Sequence, residues 1–322
     1  FWGFLIWGFY FLTCFYFCVI EPKVKFFELP LVKFVNNVVI IGTCAFTAFL
    51  LLSNLPWYLP TIGDGESVVP AFYLIVFAAI AFAVYSSTSI KYVRILSLTT
   101  TWVFIALIVG MWAGAFVFGE SKMSAYFANL GLIGGYFANI DNFVLPINEY
   151  HEFYLFWWFS WSIMIGQFTS RFVGGLRTYQ VMLAMMIIPS IPIAAWFSVL
   201  YHYHSAGIPT EGITNLAMVC VGIVFVINSL DSLIRLYTDN LNMTVERIGK
   251  VNYIVINVVA LSLLTLLFKL DFLQIQWVGA LVIAIFFSCF AFILSQKFKS
   301  VAAIKTSPKE NKIDFTKIEN LN

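Results

Sequence analysis

Tryptophan is concentrated in one short apolar stretch of the chain, FYLFWWFSWSIMIGQ at positions 153–167. On a helix, Trp157 and Trp161 share a face, and Trp158 points about 100° away from them. Membrane helices usually carry tryptophan at the membrane–water boundary, where the apolar ring and the polar N–H are both accommodated. The stretch therefore predicts either a heavy interfacial belt or the aromatic walls of a binding site.

A second aromatic group lies in the first apolar segment, which begins FWGFLIWGFYF. At 100° per residue, Trp2, Trp7 and Tyr10 cover one broad side of a helix. Aromatic faces carry negative potential and attract cations without a hydrogen bond, by about 0.5–2 kcal/mol per ring. A quaternary ammonium group has no N–H to donate, so a cage of such rings is a chemically suitable receptor for it.

Oxygen-bearing side chains give two further candidates. Thr43 and Thr47 lie one helical turn apart, where their hydroxyls could bind a hard cation such as sodium or bond back to the helix's own carbonyls. Asp231 is the only acid inside a predicted span other than Glu152, the first residue of its span, and carboxylates in membrane helices are commonly functional. Its simpler predicted role is an ion pair with Arg235, one turn later and close to the helix end.

Enzyme signatures are absent from the sequence. His202 and His204 form an HxH pair in a predicted outer loop, but a zinc site would need further ligands nearby. The chain has no phosphate-binding glycine loop, nucleophile triad or HExxH motif. We therefore expect a protein that is not an enzyme, with no cofactor apart from a sodium ion at the threonines.

The composition predicts that membrane helices position these groups. Of the 322 residues, 61% are hydrophobic and only 11% are charged, against about 25% charged for a soluble domain. The fold class predicted is an all-α polytopic membrane protein, with an interfacial helix in the less apolar run 122–148. Nine runs are long enough to span a bilayer: 1–20, 37–53, 68–85, 95–118, 152–169, 179–201, 213–234, 251–268 and 274–296.

Basic residues predict the orientation of these spans. Sixteen of the 18 lysines and arginines fall in alternate connections and in the C-terminal tail, and only Lys122 and Lys269 lie on the other side. Because positive loops stay in the cytoplasm, the tail is predicted to be cytoplasmic and the protein to lie in the inner cell membrane. The charge pattern points to a lipid bilayer and to no nucleic-acid partner. The five cysteines lie in apolar runs, which favours buried free thiols.

Five motifs in order resemble segments of the betaine/carnitine/choline transporter family. FWWFSWSIMIGQFTSRFVGGLRTYQVM resembles that family's WWxxW helix and the basic loop after it, and FWGFLIWGFYF resembles its HWGxxxWxxY helix. YSSTSIKYVRILSLTTTW, MIIPSIPIAAWFSVL and VFVINSLDSL are similar to three further segments of the family. The resemblance covers nearly the whole chain, from the family's fourth helix to its twelfth.

The resemblance implies a secondary transporter of quaternary ammonium compounds such as glycine betaine, choline or carnitine. It implies a fold of two inverted five-helix repeats, with the substrate held midway through the membrane. Residues 1–151 would contain the remainder of the first repeat and the interfacial helix, 152–300 the second repeat, and 301–322 a polar tail. A homotrimer packed through the 122–148 segment is also implied.

Site residues follow from the same resemblance, position by position. The implied substrate box consists of Trp2, Trp7, Tyr10 and Trp158, and the aromatics implied to line the adjacent pathway are Phe153, Trp157 and Trp161. The implied sodium ligands are Thr43 and Thr47 at one site and Asn228 and Ser229 at another, where the family has a Thr-Ser pair.

The chain begins with Phe1, already inside an apolar segment. We therefore expect a longer protein in which further helices precede this sequence. The alternative is a truncated relative that does not transport and acts only as a membrane partner or fragment.

Overall fold

The computed structural model describes residues 4–117 and 122–304. Within those ranges all regular secondary structure is helical, and eight helical segments are long and apolar enough to cross a membrane. This confirms the prediction of an all-α, multi-pass membrane protein. The eight segments are Phe4–Val24, Pro30–Tyr58, Pro70–Ser87, Ile90–Val117, Thr178–Ser205, Ile213–Asn240, Lys250–Lys269 and Ile275–Ala302.

Several of these segments combine short α-helices with π-helical turns, at Tyr16–Ile20, Leu183–Ile187 and Ile293–Lys297. The α-helices of the described residues are α1 Phe4–Phe15, α2 Glu21–Val24, α3 Pro30–Tyr58, α4 Pro70–Ser87, α5 Ile90–Val117, α6 Met123–Ala138, α7 Glu149–Ser160, α8 Ser162–Thr169, α9 Thr178–Met182, α10 Ser190–Ser205, α11 Ile213–Asn240, α12 Val245–Ile248, α13 Lys250–Lys269, α14 Ile275–Phe292 and α15 Phe298–Ala302.

One predicted span differs in kind from the structure. The run 152–169 is not a single helix, because α7 ends at Ser160 and α8 begins at Ser162. The predicted helix in the run 122–148 is present as α6, followed by a 3-10 turn at Ile140–Phe143. The place of α6 at a membrane surface and the division of the chain into two repeats stay predictions.

The described residues form two compact units, each assembled from separate stretches of sequence. The first unit contains residues 44–117, 122–141 and 191–273, and the second contains 4–43, 142–190 and 274–304. Helix α3 contributes residues to both units, with the division after Thr43.

In the first unit, α11 packs against α4 and α5, and α13 packs against α4. One hydrophobic cluster joins α5, α6, α10 and α11 around Met111, Tyr126 and Val199. Tyr203 in the same cluster is buried, and its hydroxyl donates a 2.8 Å hydrogen bond to the carbonyl of Met111. The bond lets the polar end of the ring lie in an apolar interior.

In the second unit, α1 packs along α8, and α14 packs along α7. Glycine makes both approaches close. A Cβ atom added to Gly166 of α8 would lie 2.6 Å from the backbone carbonyl carbon of Thr13 on α1. One added to Gly279 of α14 would lie 2.6 Å from the ring of Phe156 on α7. Small residues at such contacts let membrane helices approach to backbone distance.

Candidate functional site

The tryptophan-rich stretch contains the interruption between α7 and α8. Trp161 lies at the junction, and its backbone N–H donates to the carbonyl of Trp158, three residues back, at 3.1 Å. Its own carbonyl accepts a regular helical bond from Ile165 at 2.9 Å. The backbone N–H of Trp161 thus bonds three residues back and not four, and the regular helical pattern resumes with Ile165.

Side-chain hydroxyls from two other helices bond to this interruption. Tyr10 of α1 donates to the carbonyl of Trp158 at 2.8 Å, and Thr13 of α1 donates to the carbonyl of Ser162 at 2.6 Å. Thr43 of α3 donates to the hydroxyl of Ser160 at 3.2 Å. The carbonyl of Trp158 thus accepts two hydrogen bonds, one from the N–H of Trp161 and one from Tyr10. These contacts attach α1 and α3 to the turn that carries the tryptophans.

The aromatic rings at the interruption contact one another, mostly edge to face. The ring of Trp157 lies edge-on to that of Trp161, with centroids 6.2 Å apart. The rings of Trp157 and Trp158 are tilted relative to each other, with centroids 6.4 Å apart. Tyr154 lies edge-on to Trp157 at 5.8 Å and to Trp158 at 6.1 Å. Phe153 lies edge-on to Tyr154 at 5.4 Å. Edge-to-face pairs contribute about 0.5–1.5 kcal/mol beyond burial, so these contacts stabilise the arrangement of the rings.

Two indole N–H groups in this cluster are buried without a hydrogen-bond partner in the described part of the chain, those of Trp157 and Trp161. Buried tryptophan usually finds an acceptor for its N–H. Both nitrogens therefore have a hydrogen-bonding capacity that the described residues do not use.

The structure therefore brings several predicted substrate residues together. Tyr10 bonds to the backbone of Trp158, and Trp157, Trp161 and Phe153 lie in one connected aromatic cluster. Trp7 lies on α1 with its ring 5.9 Å from that of Phe4. Trp2 lies outside the described residues. Whether these side chains bind substrate stays a prediction.

Sequence reasoning missed Tyr154, Thr13, Ser160 and Ser162. Tyr154 could have been found, because it lies three and four residues before Trp157 and Trp158, which places it on the same side of a helix. The three hydroxyl residues carry no such signal, since their importance depends on an interruption that the apolar pattern does not reveal.

The predicted sodium ligands have different surroundings. Thr43 is fully buried and reaches Ser160, and Thr47 is buried one turn later on α3. Asn228 on α11 accepts a 2.8 Å hydrogen bond on its side-chain oxygen from the hydroxyl of Ser97 on α5. Ser229 is half-buried on the same helix. Sodium binding at any of these positions stays a prediction.

Two sequence expectations about titratable residues are wrong. Asp231 does not pair with Arg235 near a helix end: α11 continues to Asn240, and Arg235 forms its ion pair with Asp239, at 3.4 Å. Asp231 instead accepts from the hydroxyl of Ser86 at 2.6 Å.

The histidine pair is not in a loop either, because both residues lie on α10. His202 is buried, 3.1 Å from the side-chain nitrogen of Asn129, and stacks on Phe116. His204 is exposed. Within the described ranges, no group of three histidine, cysteine or acidic side chains could hold a metal ion.

A comparison with known proteins finds similarity to a protein named glycine betaine transporter 1 from Vibrio parahaemolyticus serotype O3:K6 (strain RIMD 2210633). The two are 27% identical over 95 residues, and the aligned part is 29% of this chain and 18% of that relative. No protein-family model matches the chain. The similarity confirms, for the aligned stretch, a resemblance to a betaine transporter.

Proposed function

We propose that this chain carries the substrate site of a secondary transporter for trimethylammonium compounds, with glycine betaine as the preferred substrate. The observation that carries the proposal is the aromatic cluster at the interruption between α7 and α8. Transporters of the inverted-repeat type bind substrate beside broken membrane helices. The relative's name supports the same substrate class.

The rings suit the cationic end of such a substrate. A trimethylammonium group cannot donate a hydrogen bond, so ring faces supply its attraction, by about 0.5–2 kcal/mol each. In the proposal, Trp158, Tyr10, Trp7 and Trp2 surround this group, and Phe153 lines the approach to it.

The unpaired indole N–H groups suit the opposite end. Glycine betaine and carnitine carry a carboxylate, whereas choline carries a hydroxyl. A carboxylate oxygen accepting from Trp157 or Trp161 would form a charge-assisted bond, about twice as strong as a neutral one. On this ground the proposal favours the zwitterionic substrates over choline.

Coupling to sodium at Thr43 and Thr47 is part of the proposal. Thr43 bonds to Ser160, immediately before the interruption. An ion held by the Thr43 hydroxyl would therefore change the hydrogen bonding of the same turn that carries the tryptophans. Asn228 and Ser229 form the second proposed sodium site. The inner-membrane location, the cytoplasmic tail and a homotrimer are proposed with it.

Three ligands test the two halves of the site. Glycine betaine has both the cation and the carboxylate, choline has the cation alone, and 3,3-dimethylbutyrate has the carboxylate beside a neutral group of the same shape. Equilibrium binding to the purified chain in lipid nanodiscs should give the affinity order betaine, choline, dimethylbutyrate.

Dimethylbutyrate binding as tightly as betaine would show that the rings recognise shape and not charge. Choline binding as tightly as betaine would remove the proposed role of the indole N–H groups. No binding of any of the three would reject the substrate site in this chain.

A further inference from the structure

A buried carboxylate lies in the first unit, apart from every residue assigned to substrate. Asp231 of α11 is 0% exposed. Its Oδ2 atom lies 2.6 Å from the hydroxyl oxygen of Ser86 on α4, and its Oδ1 atom lies 3.1 Å from the hydroxyl oxygen of Ser232. Each oxygen of the buried carboxylate therefore has one hydroxyl partner, Ser86 of α4 on one side and the half-buried Ser232 of α11 on the other.

The charge of this carboxylate has no counterpart among the residues that the structure describes. No cationic side chain of residues 4–117 or 122–304 pairs with Asp231, and Arg235, one turn later, forms its ion pair with Asp239. Buried charges in proteins are ordinarily paired or bound to a metal ion, because removing an isolated charge from water costs several kcal/mol. Two hydroxyl groups donate hydrogen bonds to the carboxylate but supply no positive charge.

We propose that Asp231, Ser86 and Ser232 bind a small monovalent cation, with sodium as the ion that fits best. Oxygen atoms are the ligands that hard cations prefer. One carboxylate balances one positive charge, whereas divalent sites use several carboxylates. Each hydroxyl can rotate, so its oxygen can turn a lone pair toward the cation while its proton finds another acceptor.

The neighbouring groups indicate what such a cation would do. The hydroxyl oxygen of Ser87, the residue after Ser86, lies 2.9 Å from the hydroxyl oxygen of Tyr253 on α13. The Tyr253 hydroxyl oxygen also lies 3.1 Å from that of Thr238 on α11. Hydroxyl contacts thus already join α4, α11 and α13. A cation shared by Asp231 and Ser86 would fasten α4 to α11 more tightly, so its occupancy would control the separation of these two helices.

This site differs from the sodium positions proposed above. The side-chain oxygen of Asn228 is engaged by Ser97. Asp231 lies two residues beyond Ser229, and the hydroxyl of Ser232 also lies 3.2 Å from the carbonyl of Asn228, so the two sites adjoin on α11 but use different side chains. Cation binding at Asp231 does not depend on substrate binding. Only a role in coupling the cation to transport would rest on the proposed function.

Thermal unfolding of the purified chain in detergent tests the site directly. Sodium chloride should replace N-methyl-D-glucamine chloride at constant ionic strength, because choline could itself bind as a substrate. A ligand that binds only the folded state raises the melting temperature in a saturable way. We expect a rise of about 5 °C at saturating sodium, and a smaller rise with potassium.

Single substitutions distinguish sodium binding at Asp231 from sodium binding elsewhere in the protein. Asp231→Asn keeps the shape and removes the charge, and should abolish the sodium-dependent rise. Ser86→Ala should shift the half-saturating sodium concentration upward about ten-fold. Asp239→Asn, which removes the other acid of the same helix region, should leave the rise unchanged. If Asp231→Asn fails to fold, Ser86→Ala combined with Ser232→Ala replaces it.

Three results would overturn the assignment. One is a sodium response that survives Asp231→Asn. Another is a response that Asn228→Ala abolishes and Asp231→Asn does not. The third is a melting temperature that depends on pH and not on sodium, and that loses this dependence in Asp231→Asn, because the carboxyl would then hold a proton. Betaine binding is measured separately, so its failure would not be mistaken for any of these.

Discussion

The tryptophans at the helix interruption can be tested ring by ring, because the backbone bond beside them is independent of the rings. Tyr10 donates to the main-chain carbonyl of Trp158, and this bond survives a side-chain replacement. Trp158→Ala should therefore report the loss of the ring alone. We expect about ten- to thirty-fold weaker betaine binding, corresponding to about 1–2 kcal/mol, and a smaller loss for Trp158→Phe.

Trp57 supplies the matched control for this measurement, since it is 82% exposed on α3. Trp57→Ala should leave betaine affinity unchanged. Equal effects of Trp158→Ala and Trp57→Ala would favour an interfacial belt over a binding site.

The indole N–H of Trp161 is a separate residue-scale question. Trp161→Phe removes the donor and keeps an aromatic ring, so it should weaken betaine by about ten-fold, because hydrogen bonds to charged groups contribute about 1.5–3 kcal/mol. Choline, which has no carboxylate, should change by less than about two-fold. Isothermal binding measurements with both ligands test the difference, and equal losses for the two would contradict a carboxylate partner.

At this scale, residue type and helical spacing allowed part of the site to be predicted. The shared face of Trp157 and Trp161 follows from a spacing of four residues. The partners of Asp231 and His202 could not be predicted, because they depend on where helices end. Since α11 continues to Asn240, Asp231 lies inside the helix beside Ser86 and not at its end.

At the scale of elements, the contact between α1 and α8 depends on one missing side chain. Gly166→Ala would place a methyl group 2.6 Å from the backbone of Thr13, which a backbone cannot accommodate without moving. We expect a loss of about 1–3 kcal/mol in the free energy of unfolding, as for other overpacked contacts. Detergent-solubilised thermal or denaturant unfolding measures it.

Gly222 of α11 provides the control, because an added Cβ there meets nothing within 4 Å. Gly222→Ala should be neutral or stabilise the helix by up to about 1 kcal/mol. A Gly166→Ala protein as stable as the Gly222→Ala protein would show that α1 and α8 are not in close contact.

The interruption between α7 and α8 shows why an element can escape prediction. Hydrophobicity is continuous from 152 to 169, so the sequence predicts one span. At the interruption, the hydroxyls of Ser160 and Ser162 each donate to the carbonyl three residues back, at 2.6 and 2.7 Å. Tyr10, Thr13 and Thr43, which lie far away in sequence, add bonds to the same turn. Long-range hydrogen bonds of this kind leave no trace in local periodicity.

For the whole molecule, the direction of the chain through the membrane is testable from charge. Sixteen of the 18 basic residues fall on one predicted side, so Ser300 should be cytoplasmic and Gly65 external. In intact cells, an impermeant thiol reagent should label Gly65→Cys, and should reach Ser300→Cys only after permeabilisation. Labelling of position 300 from outside would reverse the orientation. The unsubstituted chain measures the background, because Cys220 is exposed.

Composition was sufficient to predict the whole-molecule class, because a chain with so few charges must have the bilayer as solvent. Eight of the nine predicted spans correspond to long apolar helices among the described residues. The assembly of two units from discontinuous stretches was not predicted, because it depends on packing between distant segments.

The edge contacts that Tyr154 makes with both Trp157 and Trp158 have a calorimetric consequence. Rings already fixed by one another lose little rotational freedom when a ligand arrives, so the usual entropic cost of ordering a binding surface is small. Binding of apolar groups in such a preformed pocket is frequently driven by enthalpy at 25 °C, and we expect this for betaine. Tyr154→Ala frees both tryptophans without removing either ring face. It should leave the binding heat nearly unchanged while making the entropy of binding less favourable.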